Sequence, residues 1–255
     1  MPKGFTLAET LITIGIIGIV VAITIPSIIH KHQSKVLETR FKKAYATLTN
    51  IHLQMVKDYD GVYANFIIAD LYGLSNGPLN KQEALKTEYI NTFAKYLKDA
   101  KDCSFTNAYI NCSGNNNNKK YRTYRTYDGS TTMWEINDIV FNRALVAQDS
   151  TLFFFGSPAY RNARIFIDTN GSSKGPNRLG FDLFAFDIDK SDKIVKTRNT
   201  GNTTGGTTDG SSTATNICTS KKQGNQYNGF GCGEYALLNQ NPDKPNLPYW
   251  STLPW

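Results

Sequence analysis

The sequence predicts an α+β protein, in which one long N-terminal helix precedes a globular domain of short strands. Two observations lead to this prediction. The run from Phe5 to Ile29 is almost wholly apolar, and a helical spacing of apolar residues continues beyond it to about residue 58. From Ala144 onward the pattern changes to short apolar runs that are separated by turn residues, which is typical of strands.

The composition allows one membrane anchor and one globular domain. The chain has 255 residues, and its hydrophobic content of 40% is enough for a packed core. The formal net charge of +7 is spread along the chain and forms no single tract. Such a balance permits contact with phosphates or acidic lipid but does not by itself predict it.

The run from Phe5 to Ile29 is long enough to cross a bilayer, which takes about 20 apolar residues. It differs from an ordinary secretory signal, because its basic region is only Met1–Lys3 and no small-residue cleavage site follows it. Glu9 is the one carboxylate in the run. A charge there costs about 2.5–3.5 kcal/mol on insertion scales, so a plain anchor would have no reason to keep it.

Beyond the apolar run, the helix is predicted to become amphipathic and to lie against a domain. Its apolar residues recur at steps of three and four, at Leu37, Phe41, Ala44, Tyr45, Leu48, Ile51, Met55 and Tyr59. The whole helix would run from 5 to 58, about 80 Å at 1.5 Å per residue. Pro26 interrupts it, so a kink or local unwinding is expected there.

The leader residues Gly4-Phe5-Thr6-Leu7-Ala8-Glu9, followed by the apolar run and Pro26, resemble the class III leader of type IV pilins and type II secretion pseudopilins. The resemblance implies that a prepilin peptidase cuts between Gly4 and Phe5 and methylates the new N-terminus on Phe5. It also implies a long N-terminal helix packed on a small antiparallel sheet, with a disulfide-bounded C-terminal region. The expected division is a leader at 1–4, a transmembrane or filament-core half-helix at 5–29, an amphipathic half at 30–58 and a pilin-like head at 59–255.

The same resemblance implies a non-enzymatic function as a structural subunit of a type IV pilus-like filament, either a pseudopilin of a type II secretion system or a minor pilin. The alternative is a membrane-anchored extracellular adhesin or a DNA-binding pilin of an uptake system. Expected partners are the same or other pilins in a helical filament, the prepilin peptidase and an inner-membrane assembly platform. The subunit would be a single-pass inner-membrane protein with its head in the periplasm or outside the cell, and would later join an extracellular or periplasmic filament.

Glu9 then has a physical role as the subunit-assembly charge. In a filament, the positively charged N-terminus of one subunit lies in an apolar helix bundle and needs an anionic partner. Glu9 of a neighbouring subunit can supply it. The alternative is a tolerated polar residue that reaches the headgroups. Gly15 and Gly18 either allow close helix approach or are simply tolerated.

The charge distribution around the apolar run opposes the expected orientation. Basic residues are denser after the run than before it, which by the positive-inside rule favours a cytoplasmic head. His30 and His32 belong to this polar helix face and not to a metal site. Long domains translocate largely regardless of such charges, and the cysteines favour an outside head.

The head is predicted to hold a second helix over about 80–99, opened by a capping box at Asn80 and Glu83. Four antiparallel strands are expected at 144–147, 151–155, 163–168 and 182–188. The Gly- and Thr-rich stretch at 198–216 is predicted to be a flexible loop. The aromatic tail at 245–255 is expected to pack on the sheet edge or on a neighbouring subunit.

Four cysteines form two local pairs, Cys103 with Cys112 and Cys218 with Cys232. Their even number and short loops favour two disulfides and an oxidising compartment over free buried thiols, although the connectivity stays open.

The segment from Asp168 to Asp182 raises the question of a metal. Asp168 and Asn170 are spaced like the first two ligands of a calcium loop, and Asp182 is a later carboxylate. No cofactor is required, but a structural Ca²⁺ is one interpretation, since some pseudopilins hold calcium in a head loop. The other is a hairpin connection in which the carboxylates cap backbone amides.

The sequence also bears on nucleic-acid binding and on catalysis. Lys119–Tyr127 interleaves basic and aromatic residues, as single-strand nucleic-acid binders do, but a surface strand or loop is preferred and nucleic acid is not an expected partner. An enzymatic function is disfavoured. No histidine follows His52, so the head cannot contain a histidine-dependent catalytic triad or a histidine-bound metal. Paired carboxylates among Glu135, Asp138, Asp168 and Asp182 are the remaining catalytic candidates.

Overall fold

The structure of the protein, a computed structural model, describes residues 4, 6–58, 79–103, 124–132, 144–155, 163–171, 173–188, 194–196, 218–222 and 224–255. Several predicted features lie outside these residues. They are Phe5, Cys112 and hence the pairing of Cys103, residues 119–123, Glu135, Asp138 and the whole loop at 198–216.

Helix α1 (Leu7–Asp58) is a single α-helix of 52 residues, as the sequence predicts. It continues as α-helix through Pro26, so the local unwinding that was one expectation there does not occur, and a kink stays a prediction. Its apolar half is exposed throughout, and its side chains become buried only from Ser34 onward. By length and composition this helix is able to cross a membrane.

The head is built on a six-stranded antiparallel sheet in which each strand pairs with its neighbour in sequence. The strands are β1 (Lys101–Cys103), β2 (Ala144–Val146), β3 (Leu152–Phe155), β4 (Ala163–Asp168), β5 (Leu183–Ile188) and β6 (Ile194–Lys196). The four predicted strands correspond to β2 to β5. The short edge strands β1 and β6 were not predicted.

Both faces of the sheet are buried. One face packs on α1 and on helix α2 (Leu79–Tyr96), through residues such as Phe153, Phe155 and Phe184. The opposite face packs under irregular segments that contribute Tyr124, Leu179 and Phe230. The four residues of β3 are therefore all buried, which explains why its sequence is a continuous apolar run without alternation.

The C-terminal region closes the head against α1. The disulfide between Cys218 and Cys232 joins an irregular segment to helix α3 (Cys232–Leu238), as predicted for this pair. The following tail crosses the sheet face, where the Trp250 ring lies 5.4 Å from that of Phe41 on α1 and 6.0 Å from that of Phe184 on β5. The expectation that the tail packs on the sheet edge is therefore wrong, because its large rings fill the space between α1 and the sheet face.

Candidate functional site

The N-terminal end of α1 is closed by a reciprocal pair of hydrogen bonds between Thr6 and Glu9. The Thr6 backbone N–H and hydroxyl donate to the Glu9 carboxylate at 2.9 and 2.8 Å, and the Glu9 N–H lies 3.3 Å from the Thr6 hydroxyl oxygen. This arrangement is a capping box, which satisfies backbone donors that a helix start leaves free. The Thr-x-x-Glu spacing of this motif is visible in the sequence, but the sequence analysis assigned Glu9 to assembly alone.

Three threonine hydroxyls of the apolar half are satisfied within the helix. The hydroxyls of Thr10, Thr13 and Thr24 donate to the carbonyls of Leu7, Thr10 and Val20 at 2.8 to 2.9 Å. Such back-bonding lets a hydroxyl enter lipid without an unpaired donor. Glu9 therefore remains the only ionisable side chain in this half.

The apolar half of α1 makes no use of its small residues within one subunit. A Cβ added at Gly15 or Gly18 would meet nothing within 4 Å. Large side chains such as Ile17 and Ile23 are also more than half exposed. A bilayer or neighbouring helices must cover this surface, since a contiguous apolar surface of this size is not stable in water. Whether the glycines allow close helix approach stays a prediction.

Gly4 lies exposed just before α1, where its backbone is accessible for cleavage. Phe5 lies outside the described residues. The predicted cleavage between them and the methylation of Phe5 stay predictions.

The predicted metal ligands lie together at the end of β4 and the start of β5. Asp168 accepts hydrogen bonds from the N–H groups of Asn170 and Gly171 at 3.1 and 2.9 Å, and from the Tyr124 hydroxyl at 2.5 Å. The contact with Tyr124, 44 residues away in sequence, could not have been predicted from local pattern.

Asp182 has the same function on the other side of this connection. Its two carboxylate oxygens accept the N–H groups of Asn177 and Arg178, each at 2.7 Å. Both aspartates therefore cap backbone amides, as the hairpin interpretation expects. Gly171 has a φ of +80°, and a Cβ there would lie 3.0 Å from the Ser150 carbonyl, so glycine is required.

Burial makes both carboxyl groups difficult to ionise. Burial raises the pKa of Asp168 to about 6, against the hydrogen bond from Tyr124, which lowers it. Burial and then the charge of Asp168 raise the pKa of Asp182 to about 8. Two buried carboxylates that repel each other are stabilised by a shared proton or by a cation.

The donor set is compatible with a calcium ion but does not complete a site. Asp168, Asp182 and the Asn170 side-chain oxygen, which is buried without a hydrogen-bond partner, would hold it. Calcium takes six to eight oxygens, so backbone carbonyls or waters would have to supply the rest. Within the described ranges, no group of three or more His, Cys, Asp or Glu side chains is placed to hold a metal. Calcium therefore stays a prediction.

The same burial bears on catalysis and on nucleic-acid binding. Neither Asp168 nor Asp182 has measurable exposure, so no substrate reaches them in this conformation. In the part of 119–127 that the structure describes, Tyr124 and Tyr127 are buried in the core and only Arg125 is exposed. These two rings are therefore not available to stack on nucleic-acid bases.

Two side chains far apart in sequence from α1, Asp149 and Trp255, contact this helix and were not predicted to do so. The Lys43 ammonium lies 2.6 Å from the Asp149 carboxylate in the β2–β3 turn. Trp255 donates its indole N–H to the Ser34 hydroxyl at 3.3 Å, and its ring lies 4.9 Å from that of His30. No local motif signals either contact, because both join residues more than 100 positions apart.

Comparison with known proteins identifies the N-terminal part of the chain. Residues 2–25 match the family model of the prokaryotic N-terminal methylation motif, which is the prepilin-type signature. Comparison with curated proteins and with solved structures gives no match. The motif and the apolar helix that contains it support a membrane-anchored, type IV pilin-like protein, and the predicted resemblance is confirmed for this segment.

Proposed function

We propose that this chain is a structural subunit of a type IV pilus-like filament, either a pseudopilin of a type II secretion system or a minor pilin. The observation that carries the proposal is the apolar half of α1, which bears the methylation motif, is exposed along its length and holds one carboxylate near its start. The Glu9 side chain also caps the start of α1, but a glutamine could close the same capping box without a charge, so a plain anchor does not require the carboxylate.

The processing step follows from the motif. A prepilin peptidase would cut between Gly4 and Phe5 and methylate the Phe5 amine, which leaves Thr6 as the second residue of the mature chain. The Thr6–Glu9 capping box would then lie next to a new positive charge. The head of about 200 residues is larger than that of many major pilins, which favours a minor pilin or pseudopilin.

The capping box suggests how Glu9 changes partners during assembly. In the single chain, the carboxylate is held by Thr6, with which it forms hydrogen bonds but no ion pair. A neighbouring subunit's ammonium would bring a full opposite charge into the same apolar surroundings, where such a pair is stronger than in water. Glu9 would therefore retain its local cap in the membrane and gain an ionic partner in the filament, which fixes the axial offset between subunits.

The test separates insertion and processing from assembly. Glu9→Gln and Glu9→Leu would be expressed in a host that has a prepilin peptidase and the filament machinery. We expect normal membrane insertion by carbonate extraction and normal cleavage by N-terminal mass, but at least tenfold less protein in the sheared filament fraction. Normal incorporation of both variants would refute the proposal.

Two controls make this experiment specific. Glu38→Gln removes a carboxylate from the same helix beyond the apolar half and should assemble normally. Thr6→Val removes the hydroxyl of the capping box but keeps the Glu9 charge. If Thr6→Val loses assembly as completely as Glu9→Gln, the carboxylate acts as a helix cap and not as an intersubunit partner. Electron microscopy of filaments labelled on this chain distinguishes a filament body from a tip or minor component.

The competing function is a membrane-anchored adhesin or a DNA-binding pilin of an uptake system. The net positive charge permits it, but the burial of Tyr124 and Tyr127 removes two of the aromatic residues that suggested it. Binding of single-stranded DNA by the full-length protein at physiological salt would favour this alternative.

A further inference from the structure

One turn of α1 separates its apolar half from the part that the head covers. Ile29 is the last exposed residue of the apolar run, and Ser34 is the first buried residue of the helix. Five residue steps at about 1.5 Å each place them about 7.5 Å apart along the axis. The polar layer on one side of a bilayer is about 5–8 Å thick. A helix whose apolar half fills the hydrocarbon thus holds the base of the head within the headgroup layer.

The side chains in this turn are cationic and largely unneutralised. Lys31 and Lys35 are exposed one turn apart on the same helix face. Lys31 has no ion-pair partner among the residues that the structure describes. Lys35 shares the Glu38 carboxylate with Lys42, at 3.0 and 2.6 Å, and exposed pairs of this kind are weak. Between residues 30 and 43 the sequence has five lysines or arginines and one carboxylate. Lys43 pairs with Asp149, and the other four positive charges exceed what Glu38 can neutralise.

Trp255 lies at the same level on the neighbouring helix face. Its indole N–H donates to Ser34, and its ring packs on His30 and, edge-on at 5.2 Å, on Phe181. The residue as a whole nevertheless stays 43% exposed. Tryptophan with one apolar face and one polar edge is enriched at the membrane–water interface.

We propose that Lys31, Lys35 and Trp255 form a juxtamembrane patch that binds the headgroups of anionic phospholipids. The inference rests on the proposed function in that α1 must cross a bilayer. The two ammonium groups would contact lipid phosphates, and the exposed part of the indole would lie between the headgroups and the acyl chains. Each lysine near an anionic surface contributes about 1 kcal/mol of attraction. The patch would hold the head on the membrane before assembly and would have to release it when the subunit leaves the bilayer.

The test uses the full-length protein in neutral detergent micelles, titrated with dihexanoyl phosphatidylglycerol or dihexanoyl phosphatidylcholine. The signal is the fluorescence of Trp255, taken as the difference between the protein and its Trp255→Phe variant. We expect a saturable change with phosphatidylglycerol and little change with phosphatidylcholine. The double variant Lys31→Gln/Lys35→Gln should bind phosphatidylglycerol about 30-fold more weakly, the equivalent of about 2 kcal/mol.

The matched control is Lys57→Gln/Lys98→Gln, which removes the same charge from exposed lysines of the head. Lys57 lies about 39 Å from Lys31 along α1, so this variant should bind like the unmodified protein. An equal response to both lipids, or an undiminished response of the Lys31→Gln/Lys35→Gln variant, would overturn the inference. Self-association that depends on these two lysines, without lipid selectivity, would also overturn it and would assign the patch to a second copy of the chain.

Flotation of the protein with phosphatidylcholine liposomes separates this inference from the proposed function. Failure to float would contradict the membrane-spanning role of α1 and hence the proposed function. Flotation without selectivity for phosphatidylglycerol would overturn only the juxtamembrane patch.

Discussion

The two halves of α1 belong to one unbroken helix but present opposite surfaces. Between residues 7 and 29 its large apolar side chains face outward, and none is buried. From Ser34 to Met55 one stripe of the helix is fully covered by the head. Both halves have the same helix geometry, but the first is apolar on all sides and the second is amphipathic, so the two halves require different surroundings.

This comparison shows that burial in a single chain does not measure the importance of a residue. The head half is stabilised by contacts that exist in every subunit, such as Phe41 against Phe184 at 4.3 Å. Among the described residues, no large apolar side chain between 7 and 29 is buried, so we expect these side chains to act through lipid or neighbouring helices. Substitutions in the two halves should therefore change different measurements.

The largest expected effect separates stability from assembly. Phe41→Ala should destabilise the head by about 3–5 kcal/mol, because it removes a buried ring that contacts both the sheet and the tail. Ile17→Ala, in the exposed half, should leave the unfolding of the head unchanged and reduce filament recovery instead. Denaturant unfolding in detergent, followed by near-UV circular dichroism, measures the first effect. A destabilised head in Ile17→Ala would contradict the comparison.

A slightly smaller effect is expected from the Cys218–Cys232 disulfide. Closing a loop of about 15 residues is worth about 3 kcal/mol in the unfolded chain. The variant Cys218→Ser/Cys232→Ser should lose this stability, and its C-terminal tail should pack less tightly against α1. Adding a reductant should lower the unfolding midpoint of the unmodified protein by breaking this bond, and that part of the effect should be absent in the variant. An unchanged midpoint relative to the oxidised protein would show that the head is held without the disulfide.

The buried pair of aspartates predicts a dependence on both calcium and pH. Their pKa values in the folded state lie above the ordinary value of about 4, so the folded protein holds protons that the unfolded chain releases. In the presence of a chelator, the contribution of this pair to the free energy of unfolding should be greatest below about pH 4. It should decrease as the pH rises to about 8. Calcium at 100 times its Kd should restore about 2.7 kcal/mol at pH 8.

Asp182→Asn is the matched variant for that experiment. It removes one charge of the pair and should both flatten the pH dependence in chelator and abolish the response to calcium. Thermal melts with calcium or chelator at pH 5 and pH 8 measure both effects. Identical melts of the unmodified protein with and without calcium at pH 8 would end the calcium interpretation and leave the hairpin interpretation.

The smallest effect is expected at the ion pair that fixes α1 to the β2–β3 turn. Asp149→Asn should cost less than about 1 kcal/mol, because both partners are partly exposed and solvent screens them. Burial raises the pKa of Asp149, but the hydrogen bonds from Lys43 and Thr151, together with the charge of Lys43, outweigh it and the pKa is lowered overall. The pair therefore stabilises the folded state above the ordinary pKa of about 4, and its effect should vanish as the pH falls below that. A loss that persists at acid pH would point to packing instead of charge.

The elements that the sequence predicts best are those whose signal is local and long. Helix α1 and strand β4 are such cases, since one has many turns of periodic apolar residues and the other has six residues bounded by Asp168. The edge strands β1 and β6 have three residues each, too few to establish a period, and their pairing with a neighbouring strand is what defines them.

The candidate site was predictable to a similar degree. The methylation motif and Glu9 are linear features and were found, whereas the bond of Tyr124 to Asp168 and the seat of Trp255 depend on the tertiary fold. Gly4 and Gly15 show the opposite limit. Their surroundings are open in one chain, so neither sequence nor structure of a single subunit defines their contacts.

The position of the tail has a consequence for the order of folding. Each strand of the sheet pairs with a neighbour in sequence, so the sheet can form from contacts that are close along the chain. The surface that receives α1 is different, because Trp250 must reach Phe41 across more than 200 residues. Trp250 is synthesised long after α1. We therefore expect α1 to stay incompletely covered until the C-terminal tail has been made and packs against it. Packing of α1 on the head would then be among the last steps of folding. A subunit whose tail has not yet packed would expose the head surface that normally contacts α1.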